Sequence, residues 1–210
     1  MLNRNTRLLC GLAAAFVFAV PATGGDWRQF RGSQSNSVAA ESRLPLEWSD
    51  TNNVAWRTSI PGKGASSPIV VGDRVFITRS SGIKQNRLHV LCIHAGTGQQ
   101  LWRRDFWATG RTYTHPTSSV AAPTPASDGT RVVAFFSSND LVCLDLDGNL
   151  LWYRGLALDF DKAGNDVGMS SSPTIVGDVV VVQAENQGNS FATGIDIRTG
   201  EQLWETRRGD

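Results

Sequence analysis

The 210-residue chain is poor in the residues that staple or metallate small proteins, with three Cys and three His. So few cysteines exclude a disulfide-dense scaffold, and three His leave little for a metal cluster. Neither sign of charge is in excess. Lys+Arg number 20 and Asp+Glu 19, for a net +1, so no global basic field recruits nucleic acid. Downstream of the N-terminus, no apolar run approaches the ~20 residues of a membrane span, and helical periodicity is lacking. The remaining composition, 40% hydrophobic and 19% charged, excludes a disordered tail or a collagen-like fibre.

The first 25 residues differ from the rest. Arg4 and Arg7 precede an uncharged apolar stretch from Leu8 to Val20, which Pro21 ends before the small residues Ala22, Thr23 and Gly24. That is the layout of a secretory signal peptide, and it is too short for a stable span. Residues 1–24 are therefore assigned as a signal peptide, cleaved after Ala22 or Gly24, with export to the periplasm or beyond the cell. Cys10 lies at the start of the apolar stretch, not at its end, which is wrong for a lipid-anchoring cysteine.

After an N-terminal extension over residues 25–53, the sequence repeats. Segments 66–106, 121–156 and 171–207 align on Pro68, Pro123 and Pro173, and on Trp102, Trp152 and Trp204. Each tryptophan follows a turn glycine (Gly98, Gly148 or Gly200) by four residues. An outer-strand fragment, residues 54–60, matches only the end of a repeat and puts Trp56 in the tryptophan place. Each repeat reads as four short strands. In the third these are 173–176, 179–184, 191–196 and 202–206, joined by Gly-Asp and Arg-Thr-Gly turns that supply positive φ. Four-stranded repeats of this length are β-propeller blades. The predicted fold is all-β, with antiparallel blades: about three plus one outer strand, an incomplete ring over residues 54–210.

The run from Gly194 to Trp204, Gly-Ile-Asp-Ile-Arg-Thr-Gly-Glu-Gln-Leu-Trp, resembles the tryptophan-docking motif of pyrroloquinoline-quinone (PQQ) propellers. That motif has a small residue first, Asp third, Gly seventh and Trp eleventh. The stretch from Cys92 to Trp102 is similar, with His94 in the Asp place. The stretch from Cys143 to Trp152 keeps Asp145 and is one residue short. The opening Asp26–Gly32 also resembles the start of secreted bacterial PQQ-binding-like repeat proteins. The resemblance implies that each indole packs over the small residue and turn of the neighbouring blade. Cys92, Cys143 and Gly194 then fill the small slot, which makes both cysteines buried alanine substitutes and not a disulfide pair.

Turn lengths place a candidate ligand face. One edge of the blades carries only tight turns. The other carries long connections over residues 79–87, 107–120, 157–170 and 185–190, and elaborated loops on a rigid scaffold are where binding usually lives. His115, Ser171, Ser172, Glu185 and Asn186 are the candidate ligand-face residues. Glu185-Asn186-Gln187 reads either as a Ca²⁺ ligand pair or as a solvated polar turn. No catalytic or metal-ligating set is assigned, and the adjacent Cys-Cys pair typical of PQQ alcohol dehydrogenases is missing. The expected function is an exported, non-catalytic propeller module, a fragment of a larger ring, that binds a protein, a glycan or a small ligand. No cofactor is expected, since PQQ with Ca²⁺ would require the complete ring. Nucleic acid is not an expected partner; the missing blades are. The alternatives are part of a PQQ-dependent alcohol or sugar dehydrogenase and an envelope-assembly scaffold.

Overall fold

The computed structural model of the chain describes residues 25–39, 44–160, 167–185 and 190–207. The expected signal peptide and Asn186 lie outside the described residues. Three four-stranded antiparallel sheets follow one another along the chain, each strand bonded to its sequence neighbour. The first contains β1 (Ile69–Val71), β2 (Arg74–Ser81), β3 (Arg87–His94) and β4 (Gln100–Trp107). The second contains β5 (Ala126–Ser127), β6 (Arg131–Phe135), β7 (Asp140–Asp145) and β8 (Leu150–Gly155). A single helical turn, α1 (Leu156–Asp159), leads to the third: β9 (Thr174–Val176), β10 (Val179–Ala184), β11 (Phe191–Asp196) and β12 (Gln202–Arg207). These are propeller blades, and they do not close a ring. Among the described residues, no helix is long and apolar enough to cross a membrane.

The core lies between the blades. Leu88 and Val90 of the first meet Ala134, Phe136, Val142 and Leu144 of the second. Val133, Phe135, Leu141 and Cys143 of the second meet Val180, Val182, Phe191 and Ile195 of the third. β-branched residues fill the middle strands because both faces are covered there.

The three outer ladders share one irregularity. Each has a register shift just past the small residue, at Cys92/Ile93, Cys143/Leu144 and Gly194/Ile195. The shift leaves Trp102 opposite Cys92, Trp152 opposite Cys143 and Trp204 opposite Gly194. The small slot is thus in the tryptophan's own sheet, which corrects the expectation that it belongs to the neighbour. A small side chain there lets the indole lie flat before it reaches across.

What it reaches is the next blade's turn. Trp102 covers Gly148, where a Cβ would come within 2.8 Å of the indole, and its Nε1 donates to the Leu146 carbonyl at 2.9 Å. Trp152 covers Gly200 and donates to Ile197 at 2.8 Å. Trp56 does the same to Gly98 and to the Ala95 carbonyl, at 2.7 Å, although residues 54–60 join no strand ladder among the described residues. Each turn is shaped by a side-chain acceptor. Asp145 accepts the N–H groups of Asp147 and Asn149, and Asp196 those of Arg198 and Thr199. Those donors, Arg198 foremost, hold Asp196 down to about 2. In the first blade, His94 Nδ1 accepts from Gly96 and Thr97 at 3.1 and 3.2 Å, so an imidazole nitrogen does the carboxylate's work.

The N-terminal extension ties the blades together along their inner strands. Asp26 accepts the Gly72 N–H at 2.8 Å, and Trp27 and Val70 exchange two backbone bonds. The Arg28 carbonyl accepts the Ser127 N–H, and the Gln29 side chain accepts that of Ile175. Four consecutive residues thereby strap three blades.

Candidate functional site

Antiparallel hairpins send the short turns of every blade to one edge and the β2–β3, β6–β7 and β10–β11 connections, with the inter-blade crossings, to the other. On that second edge, a cavity of about 480 Å³ opens between the β2–β3 loop and the crossing to the second blade. Ile83, Lys84 and Gln85 line one side, and the run from Arg111 to Thr114 lines the other. The volume is in the range of small-molecule sites.

Its floor is fixed by Gln85. This residue has φ +54°, and its amide oxygen accepts from Ser80 Oγ at 3.0 Å and from the Val120 N–H at 3.3 Å. Its amide nitrogen donates to Thr114 Oγ1 at 3.3 Å, joining the two walls. A buried carboxylate anchors the crossing. Asp140 is fully buried and accepts the Thr109 N–H and hydroxyl, the Ser138 hydroxyl and the Tyr153 hydroxyl. Burial and the Asp140 hydrogen bond push the Tyr153 phenol well above its usual range, so it stays a donor. At the mouth, the Arg111 guanidinium lies 5.3 Å from the Tyr113 ring centroid. Among the described residues, the lining carries two cations, Lys84 and Arg111, and no carboxylate. Such a cavity can take an anionic or polyhydroxylated group against an aromatic wall.

The candidates chosen from sequence do not gather here. His115 follows the cavity wall but is exposed; its Nδ1 meets Thr117 Oγ1 at 2.7 Å and its N–H donates to Val167. Ser172 is half-buried, and its hydroxyl accepts the Thr124 N–H at 3.0 Å, knitting inner strands; Ser171 is likewise half-buried. Glu185 is exposed beyond β10, and its Oε1 accepts from Gln183 at 2.6 Å. Arg79 is spent on structure: it donates to the Ile60, Gly62 and Gly64 carbonyls and pins the chain that leads into β1. The cavity forms between two of the long connections that the sequence places on the ligand face, 79–87 and 107–120, although its lining residues were not among the chosen candidates.

Among the described residues, no group of three or more His, Cys, Asp or Glu could hold a metal. The Glu185 oxygen is already engaged. Cys92 and Cys143 sit in different blades, buried and unpaired. Burial pushes their thiols up to about 11 and about 12.

Residues 30–207 match the model of the PQQ_2 family, described as outer membrane protein assembly factor BamB. Polyvinylalcohol dehydrogenase from a Pseudomonas species is 29% identical over 170 residues, covering 73% of this chain and 24% of that protein. Outer membrane protein assembly factor BamB of Burkholderia pseudomallei (strain K96243) is 29% identical over 215 aligned positions, covering 99% of this chain and 45% of that protein. The chain thus spans less than half the length of either. Among solved structures, quinohemoprotein alcohol dehydrogenase from Comamonas testosteroni superposes with a TM-score of 0.52 at 17% identity, over 70% of this chain and 21% of that one. That likeness supports the propeller fold alone.

Proposed function

The chain belongs to the PQQ_2 family, and on that premise we propose that it is an exported propeller module that binds through its long-loop face. A glycan, a small ligand or a protein loop is bound there, and the chain has no quinone-dependent activity of its own. The observation that carries this reading is the cavity between residues 83–85 and 111–114, with its floor pinned by Gln85 and its mouth formed by the Arg111–Tyr113 pair. Loops joined through Gln85 and carrying an aromatic and two cations suit binding.

The test compares the wild type with an Arg111→Ala/Tyr113→Ala double variant on a glycan array and in calorimetric titrations of small carboxylates. Ligands held by the wild type and lost by the variant, at unchanged melting temperature, are the expected result. Binding that is absent from both, or equal in both, refutes the assignment.

We further infer that the three blades form part of a larger ring. Trp204 is 41% exposed, while Trp152 is 9% exposed, because among the described residues no sheet covers the far side of the third blade. Val176 on the innermost strand of that blade is 65% exposed. The similarity to polyvinylalcohol dehydrogenase favours a second reading, a portion of a PQQ-dependent dehydrogenase. Dye-linked turnover of an alcohol and sugar panel with PQQ and Ca²⁺, abolished by Glu185→Ala with folding intact, would establish it. The family's description favours a third, a scaffold in envelope assembly.

A further inference from the structure

The first blade carries a polar constellation apart from the cavity-lining residues. Ser81 ends β2, His89 lies in β3, and Asp105 lies in β4. The β2–β3 register pairs Arg79 with His89 and Ser81 with Arg87; the β3–β4 register pairs His89 with Asp105. Side-chain alternation then puts all three on one face of the sheet, with Ser81 diagonal to the histidine. The distances follow: Ser81 Oγ to His89 Nε2 is 2.7 Å, and His89 Nδ1 to Asp105 Oδ1 is 2.7 Å. A ring nitrogen that close to a carboxylate carries the proton, so Nε2 is left to accept from the serine hydroxyl.

The surroundings favour a neutral ring. His89 is only 2% exposed, and burial pushes its imidazole below the ordinary value, with the Asp105 hydrogen bond opposing. The Arg103 and Arg87 charges add to the depression. Arg103 holds the half-exposed carboxylate in place, donating through Nε at 2.6 Å and Nη2 at 3.0 Å, and the same Nη2 stands 3.2 Å from His89 Nδ1. Ser81 is half-buried, next to the exposed Gly82-Ile83 start of the loop. At the same end of the sheet, Arg87 stacks on Trp107, whose ring is largely exposed and offers an apolar wall.

We propose that Ser81, His89 and Asp105 form an activated-serine site that accepts an acyl group from a small ester. Ser81 Oγ attacks the acyl carbon; a bond forms between them and the bond from that carbon to the ester oxygen breaks. The Ser81 proton passes to His89 Nε2 and from there to the departing oxygen, which leaves as the alcohol. An acyl-serine remains, and water activated by the same nitrogen returns it to serine and a free acid. Ser81 and His89 touch the reacting atoms, whereas Asp105 and Arg103 are positioning residues. The site lies at the same sheet edge as the binding face proposed above but uses none of the residues that line its cavity.

An alkyl fluorophosphonate is the probe. Attack forms an Oγ–P bond and expels fluoride, and peptide mass spectrometry locates the adduct. With the full chain, labelling is expected at Ser81 and lost in Ser81→Ala. It should be slower by on the order of 10²–10⁴-fold in His89→Gln, the share a general base supplies. Asp105→Asn should slow labelling and Asp105→Glu restore part of it, both with unchanged melting curves; a merely structural carboxylate would leave the rate constant alone. If Ser81 stays unlabelled in the folded wild type, or is labelled equally fast in His89→Gln, the proposal is wrong.

Discussion

Truncating Trp152 to alanine tests the central packing claim, that one indole joins the second blade to the third. The ring is 9% exposed and sits in the core cluster with Val133, Val180 and Ile195. An indole buries on the order of 200 Å², which at ~25 cal/mol per Å² sets a ceiling of about 5 kcal/mol. Partial collapse of the site lowers the loss. The Ile197 carbonyl, stripped of its 2.8 Å donor, adds about 1 kcal/mol back. Trp152→Ala should therefore cost about 3–5 kcal/mol. Trp204→Ala removes the same side chain where no neighbouring sheet receives it, and should cost about 1 kcal/mol. Gly200→Ala adds a third point. Its Cβ would stand 2.8 Å from the Trp152 ring at a φ of +75°, so it destabilises by clash and by backbone strain. In the Trp152→Ala background the clash vanishes and only the strain remains, giving a coupling of about 0.5–3 kcal/mol. Urea unfolding followed by circular dichroism measures all four variants against the wild type. A Trp152→Ala cost below 1 kcal/mol, or one equal to that of Trp204→Ala, would refute the docking geometry.

Two further outcomes depend on pH. Burial raises Cys92 to about 11 and Cys143 to about 12 from an unfolded 9.0, so the folded state keeps protons that the unfolded state loses. Their contribution is complete below pH 9 and disappears as pH climbs through 11 and 12. A Cys92→Ala/Cys143→Ala protein should show a shallower alkaline decline in urea melts, and identical slopes would contradict the assignment. In the strap, the Gly72 N–H holds Asp26 below the usual 3.8, with burial opposing and Arg28 assisting. That stabilisation is present above pH 3.8 and is lost as pH falls through the lowered value. Asp26→Asn at neutral pH should reproduce the acid effect: faster amide exchange at Val70 and Ser127, with β7 and β10 still protected. Protection unchanged at both amides would show that Asp26 does not secure the strap.

The sequence alone determined what is local and repeated. Val-rich runs, turn glycines and tryptophans at a fixed offset are each set by a few neighbouring residues, so β10 and β11 follow from sequence at their observed bounds. Free, buried cysteines were legible for the same reason, because both occupy the slot that Gly194 fills in the third repeat. The tertiary structure decided everything that depends on which distant groups meet. It put the small slot in the tryptophan's own sheet, because a register shift in each outer ladder turns the indole before it crosses. It gathered Gln85, Arg111 and Tyr113 into one cavity, left the side chains of His115 and Glu185 to local bonds, and gave Ser172 to a bond between blades. It linked Ser81 to His89 and His89 to Asp105, each at 2.7 Å, across three strands, where no spacing motif in the chain marks them. Periodicity fixes which face a residue takes, but strand register and loop path set who its partner is, and both are properties of the folded chain.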